Sequence, residues 1–409
     1  MEANKGRVIW IDQLRGIAIF LVILGHVNLP GKLNGFIYSF HMPLFFMITG
    51  LTMNNHKLSR SAMKEYMLCQ IKHLLIPYFW MSFMMYPLWY LAFHWLGKTS
   101  LTIPQAFYGI LVGNSLLYAS PSNALWFVLV LMIAKIVYVF FYKMTKGSKV
   151  KMLVLIIICA FGGLAEQGKA RIWHLNVVFT AVVFIYIGNC MMQWYQKNGK
   201  VVLQKMSKRK SGIILFFMVI LGISSAYLNG RVSMHRNTFG KSVLLYYFTA
   251  VVLSSICMLS IIKFMPTKVD SKSMIVYIGQ NTLLYVGFHI PIIRVLEQLL
   301  SDSLTQYGWS ILEAVVIYCV LALFCILVNR WFPFVSGKEV RSSVGSTIGS
   351  KALLVMWCLW IPYMYIMQQS GLDLKNKSIG FVSMISLLAV SLMIVKCAKK
   401  YFPIVFLED

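Results

Sequence analysis

From residue 8 onward the chain alternates between apolar runs of about 20 residues and short polar or basic intervals. An α-helix rises about 1.5 Å per residue, so a run of that length crosses the roughly 30 Å hydrocarbon core of a bilayer. The runs also lack the strict apolar/polar alternation of a half-buried strand. Predicted spans cover 8–29, 36–53, 73–96, 124–142, 150–165, 172–194, 211–228, 242–262, 274–296, 310–332, 352–368 and 378–396. The expected fold class is all-α, a polytopic integral membrane helical bundle of about 10–12 transmembrane helices. The interval 97–123 contains the apolar stretch IPQAFYGILVGNSLLY and reads as a re-entrant or interfacial helix. There is no internal repeat, and the charged residues of the two halves show no inverted symmetry, which argues against a secondary transporter.

Composition supports this pattern. Hydrophobic residues make up 59% of the 409 residues, charged residues 12%, and the mean hydropathy is +0.73. An ordinary soluble domain lies far from these values. A net charge of +26 would suit a nucleic-acid binder, but the Lys and Arg residues sit in short clusters between apolar runs. No nucleic-acid partner is expected; the bilayer is. The clusters fall mostly on one side of the predicted bundle, with Lys57, Arg60, Lys64 and Lys72 in one loop and Lys205, Lys208, Arg209 and Lys210 in another. The positive-inside rule then makes that side, and both termini, cytoplasmic in a multi-pass protein of the cell membrane. Asp12 and Arg15 in the first run, and the absence of a small-residue cleavage site, speak against a cleaved signal peptide. The eight cysteines lie in or beside apolar runs without CxxC spacing, and read as packing residues; no metal site is expected.

Ionisable groups within spans are costly and therefore candidates for function. The stretch RGIAIFLVILGH carries Arg15 and His26 at the ends of an apolar run. Eleven residues at about 100° each make about 1100°, close to three full turns, so both side chains share one face about 16 Å apart. Asp12, three residues before Arg15, falls on the same stripe. His41, in YSFHMPLFFMITG, enters the second span from the side where the first ends, at a depth similar to His26. His289, in YIGQNTLLYVGFHIP, sits in the corresponding half of the ninth span. An imidazole suits proton removal from a hydroxyl near neutral pH, and a guanidinium suits a phosphate or a developing oxyanion. A face with Arg near the cytoplasm and His three turns deeper fits a long donor with a charged head and a reactive tail, such as coenzyme A. Lys135 and Arg294, also in spans, have no role in this scheme.

The stretch IDQLRGIAIFLVILGH resembles the first-helix signature of the acyltransferase-3 family of bacterial membrane acyltransferases, in which an Arg and a His are separated by ten residues. FHMPLFFMITG is similar to the family's second helix, in a form like its fucose 4-O-acetylase-like, polysaccharide O-acetyltransferase branch. ALWFVLVL (124–131), NGRVSMHRNTFGKS (229–242) and YIGQNTLLYVGFH (277–289) resemble that branch more loosely. The likeness implies an acyltransferase-3 membrane domain over 1–332, followed over 333–409 by a cytoplasmic loop and two additional transmembrane helices. Many members carry an Arg-x-x-Arg pair before the third helix; here Gln70 and His73 occupy those places, with Lys64 and Lys72 nearby. Other members have Trp-Ser-Leu-x-x-Glu in a later helix, whereas Trp126 here is followed by Phe127 and Val128, and Leu131 stands in place of the Glu. Glu313 is then the candidate carboxylate partner of His26.

The resemblance implies transfer of an acetyl or other short acyl group from cytoplasmic acetyl-CoA, or a related acyl-CoA, to a hydroxyl of a cell-surface polysaccharide or lipid-linked glycan. The candidate catalytic residues are His26, Arg15, Asp12 and His41. Arg15, Lys64, Lys72 and His73 are candidates for holding the donor, and Trp126, His235, Arg236, Asn237 and His289 for the acceptor. No permanently bound cofactor is expected, and a homo-oligomer is compatible with this reading. The alternative is a polysaccharide or lipid-linked-sugar exporter that needs no thioester.

Overall fold

Among the described residues, every predicted apolar run folds as helix. The computed structural model describes residues 8–90, 101–117, 123–265, 273–299, 309–338, 348–369, 377–402 and 405. The first helices are α1 (Ile9–His26), α2 (Gly31–Tyr38), α3 (His41–Thr52), α4 (Asn55–Arg60), α5 (Met63–Gln70) and α6 (Ile76–Trp89). They are followed by α7 (Ile103–Val112), α8 (Trp126–Met144), α9 (Lys149–Ala165), α10 (Leu175–Trp194), α11 (Lys200–Lys205) and α12 (Lys208–Asn229). The chain continues with α13 (Val243–Phe264), α14 (Met274–Gln280), α15 (Thr282–Leu299), α16 (Ser310–Trp331), α17 (Ile348–Gln369) and α18 (Lys377–Tyr401).

Among the described residues, seven helical segments are long and apolar enough to cross a membrane: Ile9–His26, Gly31–Thr52, Asn123–Met144, Ile172–Lys205, Lys208–Asn229, Val243–Phe264 and Ser310–Trp331. Other predicted spans are helical but shorter or interrupted. α6 has 14 residues and α9 has 17. The 274–296 run breaks at Asn281 between α14 and α15, and Pro362 lies inside α17. Within 97–123, α7 is a ten-residue apolar helix, opened by a Thr102–Gln105 capping box and closed by Gly113 at φ +62°. That length is too short for a crossing.

Two compact units emerge. The first is built from Met1–Tyr66, Ile133–Thr282 and Leu300–Tyr318, the second from Met67–Met132, Leu283–Leu299 and Cys319–Asp409.

In the first unit the tightest helix pairs meet through glycines. A Cβ on Gly50 of α3 would lie 2.0 Å from the Ile185 carbonyl oxygen of α10, and one on Gly188 of α10 would lie 2.0 Å from the Met47 carbonyl oxygen. Between α1 and α14, a Cβ on Gly279 would lie 1.9 Å from the Asp12 carbonyl oxygen and one on Gly16 2.6 Å from that of Ile275. Lipid tails are as apolar as Leu, so helices in a bilayer associate through close packing, and small residues permit it. Leu14, Ala18, Ile19, Phe46, Phe184 and Tyr246 fill the resulting core.

The first half of α16 runs antiparallel along α1. The Ser310 hydroxyl donates to the Asn28 carbonyl just past the end of α1. Two turns further along α16, the Tyr318 hydroxyl donates to the Gly16 carbonyl at 2.9 Å, and its ring meets Phe20 edge-on.

In the second unit α6 packs against α7 and α17. Polar atoms pin these contacts: Tyr78 donates to the Ile110 carbonyl at 2.6 Å, and the Trp357 indole to that of Met84 at 3.1 Å. A π-helical turn over Ile71–Leu75 precedes α6, and its His73 donates from Nδ1 to the Gly337 carbonyl at 2.6 Å.

Candidate active site

α1 positions chemistry at both of its ends. Asp12 stands in its first turn, where a carboxylate suits the helix dipole. The Asp12 side chain is 4% exposed and lies 3.5 Å from an Arg15 amino nitrogen; Arg15 is 29% exposed. A cavity of about 700 Å³ opens there, lined by Asp12, Arg15 and the amide-bearing Asn54, Asn55, Asn189, Gln193 and Gln196, with His56 beside them. Asn189 donates to the Met53 carbonyl at 3.1 Å and accepts from Gln193 at 2.7 Å, fixing the cavity wall where α10 crosses the end of α3. Sequence reasoning missed this amide wall. Its signal was present in GNCMMQWYQ, where residues 189, 193 and 196 fall on one helical face.

At the other end His26 is half-buried, and its Nδ1 bonds to the Val22 carbonyl at 2.8 Å. His41, buried, makes the equivalent bond to the Ile37 carbonyl at 2.8 Å. A carbonyl can only accept, so each ring carries its proton on Nδ1 and its lone pair on Nε2, the form a general base needs. The Tyr38 ring links the two, with centroids 6.2 Å from His26 and 5.0 Å from His41. Tyr38 was not singled out from the sequence, although it precedes His41 by three residues.

The loop between α12 and α13 adds a third wall. Asn237, fully buried at φ +51°, donates to the Gly163 carbonyl at 2.8 Å and the Glu166 carbonyl at 3.2 Å, and accepts from Thr180 at 2.9 Å. This side chain ties the loop to α9 and α10, so its amide is engaged in scaffolding. His235 packs on His174 with centroids 4.6 Å apart. His174 and Trp173 both hold left-handed backbone, at φ +52° and +54°, a strain that clusters at functional sites. Burial, then the neighbouring Arg236 charge, then His26 push the His235 imidazole down to about 4. His235 and His26 therefore share one electrostatic neighbourhood, as do His41 and His26. Arg231 lies in the electrostatic neighbourhood of Tyr38.

The structure thus gathers His26, His41, His235 and Arg236 in the first unit, and adds Tyr38, His174 and Arg231. Asp12 and Arg15 are brought together at the opposite end of α1. Along α1 the lining of the 700 Å³ cavity runs from Val8 to Arg15 and does not include His26. Lys64 is exposed on α5 and outside that lining. Lys72, His73, Trp126 and His289 belong to the second unit. There His289 is buried, with Nδ1 bonded to the Tyr285 and Val286 carbonyls at 2.9 and 3.0 Å, and Trp126 meets Phe127 edge-on. Glu313 is half-exposed on α16, between the levels at which that helix meets Asn28 and Gly16, and so lies near the His26 level of α1. Among the described residues, no group of three or more His, Cys, Asp or Glu side chains could hold a metal ion.

The family model of an acyltransferase domain, acyltransferase-3, matches residues 8–331. The chain belongs to the acyltransferase-3 family. The match takes in both ends of α1, the cavity and the α12–α13 loop. Membership implies acyltransferase activity, with an acyl donor, an acceptor and a membrane location. Comparison of this acyltransferase with curated proteins and with solved structures gave no match.

Proposed function

We propose that this acyltransferase moves an acetyl or other short acyl group from cytoplasmic acyl-CoA to a hydroxyl of a cell-surface polysaccharide or lipid-linked glycan. The observation that carries the reading is the division of labour along α1: a polar cavity holding Arg15 at one end and a His26–Tyr38–His41 cluster at the other.

In this reading the basic loops and both termini face the cytoplasm, and the amide-lined cavity receives the charged head of the donor. Arg15, held by Asp12, meets its phosphates or the thioester carbonyl. Lys64 contributes to donor binding. The thin acyl arm runs along the face of α1 toward His26, past Ile19 and Val22. Both are buried, so the arm reaches His26 only when this packing parts around it.

His26 Nε2 accepts the proton of the acceptor hydroxyl as its oxygen attacks the thioester carbonyl. The tetrahedral intermediate collapses with loss of the thiolate, which takes up the proton and leaves as the free thiol. His41 orients Tyr38 and His26, while Glu313 on α16 steadies the imidazolium. His235 and Arg236 hold the sugar, and Asn237 keeps the loop that bears them in place.

The test is acyl transfer by His26→Ala and Arg15→Ala proteins whose membrane insertion matches wild type. Normal transfer by well-inserted His26→Ala protein rejects the base assignment. Failure of the wild-type protein to consume acyl-CoA with any glycan acceptor rejects the reaction itself.

A further inference from the structure

A second cavity, of about 420 Å³, opens within the first unit between α8, α9 and α10. Ile133, Val137 and Phe141 line it from α8 at four-residue spacing, which is one face of that helix, and Val178, Phe179 and Val182 line it from α10. The buried Cys159 adds a wall from α9. These walls are hydrocarbon, unlike the amides of the cavity beside Arg15. α8 and α10 both belong to segments that cross the membrane, so what fills the groove comes from the bilayer. An apolar cavity of about 150 Å³ stays dry and admits a benzene ring, so by proportion this one admits a hydrocarbon chain of roughly 15 carbons.

One end of the groove is polar. Glu166, Arg171 and Asn176 belong to its lining. Arg171 donates to both Glu166 oxygens, at 2.7 and 3.1 Å, and Lys169 donates to one of them at 3.2 Å. Two cations share one carboxylate, so the three side chains together keep a net positive charge. Asn176 is 1% exposed and donates to the Lys169 carbonyl at 2.7 Å. Among the described residues its Oδ1 is buried without a hydrogen-bond partner, a state that buried polar atoms seldom keep. This end is also joined to the loop that bears His235: Asn237 donates to the Glu166 carbonyl at 3.2 Å, and the Gly168 amide donates to the Asn237 carbonyl at 3.3 Å.

From the hydrocarbon walls, the net cation at the rim and the unpartnered acceptor beside it, we infer that the groove binds one chain of an anionic bilayer phospholipid whose headgroup carries a hydroxyl, as phosphatidylglycerol does. The lipid phosphate meets Arg171 and Lys169, and the headgroup hydroxyl donates to Asn176 Oδ1. A choline lipid brings neither the net charge nor the donor. Bound there, the lipid links α8 to the α9 and α10 walls and steadies the loop that Asn237 ties to the rim. Such a site needs no acyl transfer and stands apart from that reaction.

The experiment uses the full chain in phosphatidylcholine nanodiscs holding a small fraction of phosphatidylglycerol with a photoreactive diazirine in one acyl chain. Irradiation is expected to attach this probe to residues 133–141 and 175–182, located by peptide mass mapping. Unlabelled phosphatidylglycerol suppresses the labelling, and the same amount of extra phosphatidylcholine does not. Phosphatidylethanol keeps the negative charge but lacks the hydroxyl, so half-suppression takes about threefold more of it, the scale of one hydrogen bond. Arg171→Gln raises the phosphatidylglycerol needed by at least about threefold, as loss of a charge-assisted bond does. Val137→Trp fills the groove and abolishes labelling of both segments. The position of labelling on wild type tests the site even where Val137→Trp folds poorly. Labelling spread over the exposed faces of α9 and α12 without enrichment at the groove, or unchanged in well-folded Val137→Trp protein, overturns the inference. So does equal competition by phosphatidylglycerol and phosphatidylcholine, and equal competition by phosphatidylglycerol and phosphatidylethanol removes the headgroup contact on which it depends. Displacement of the probe by a polyprenyl phosphate but not by phosphatidylglycerol also overturns it, and gives the groove to a prenyl chain.

Discussion

His26 bonds through Nδ1 to the Val22 carbonyl, 2.8 Å away and one turn back on the same helix. The bond fixes the tautomer and orients Nε2, so the proposed base needs no motif-encoded carboxylate to hold it. His26→Gln, which cannot accept a proton near neutral pH, is expected to lower acyl transfer by about 10²- to 10⁴-fold, the usual range for loss of a general base. Membrane insertion and donor binding stay at wild-type levels. Transfer rates on matched amounts of inserted protein, together with acyl-CoA binding, check this.

Val22 and Ile19 lie on the face of α1 between Arg15 and His26, and both are buried. If the acyl arm passes there, Val22→Phe blocks it while leaving the donor's head site intact. The expected outcome is acyl-CoA binding close to wild type with transfer reduced by at least about tenfold, as a misplaced reactant costs on that scale or more. Full transfer by the well-folded variant would place the route elsewhere.

Gly279→Ala places a methyl 1.9 Å from the Asp12 carbonyl oxygen, a contact that only movement of α14 away from α1 can relieve. Overpacking of this kind costs about 1–3 kcal/mol. The strain falls on the turn that presents Asp12 and Arg15, so donor affinity drops along with thermal stability. Gly31→Ala is the control, because nothing lies within 4 Å of its added methyl.

His235 titrates at about 4 in the folded chain against 6.5 for a free imidazole, through burial, the Arg236 charge and His26. The unfolded chain therefore binds this proton more readily than the folded one. Its contribution to stability is complete above about pH 6.5 and is lost as pH falls toward 4. Thermal melting of the solubilised full chain should weaken across that window, and His235→Gln should flatten the slope. A slope that His235→Gln leaves unchanged would refute the assignment.

Asn237→Ala removes the partner of the Gly163 and Glu166 carbonyls and leaves a non-glycine residue in left-handed backbone. Each buried group left without its bond costs about 1–3 kcal/mol. The melting temperature is expected to fall, and acceptor affinity with it, because the loop carrying Arg231, His235 and Arg236 loses its anchor. Asn237→Gly, which tolerates φ +51°, should be less destabilising than Asn237→Ala in the same melt.

Much of the membrane plan was legible because it depends on local physics. Run length against bilayer thickness gave helix in the described part of each of the twelve predicted segments, and seven described helical segments reach spanning length and apolarity. The predicted 274–296 span breaks at Asn281 into α14 and α15 because Asn281 donates its side-chain amide to the Tyr277 carbonyl and ends the first helix there. Apolarity alone does not report such a local bond. The amide wall of the cavity was written in the spacing of residues 189, 193 and 196, yet nothing local tells whether that face meets lipid or a cavity.

What the sequence by itself determined is the set of helices and the alignment of Asp12, Arg15 and His26 on one face, since a 3.6-residue period places side chains without knowledge of neighbours. Tertiary structure alone decided what surrounds them. Tyr38 meets His26 because α2 folds back from the end of α1, and His235, Arg231 and Arg236 join the cluster because Asn237 ties their loop to α9 and α10. Glycine contacts set how closely the helices approach, through backbone atoms distant in the chain. These relationships come from packing between segments, which no local periodicity encodes.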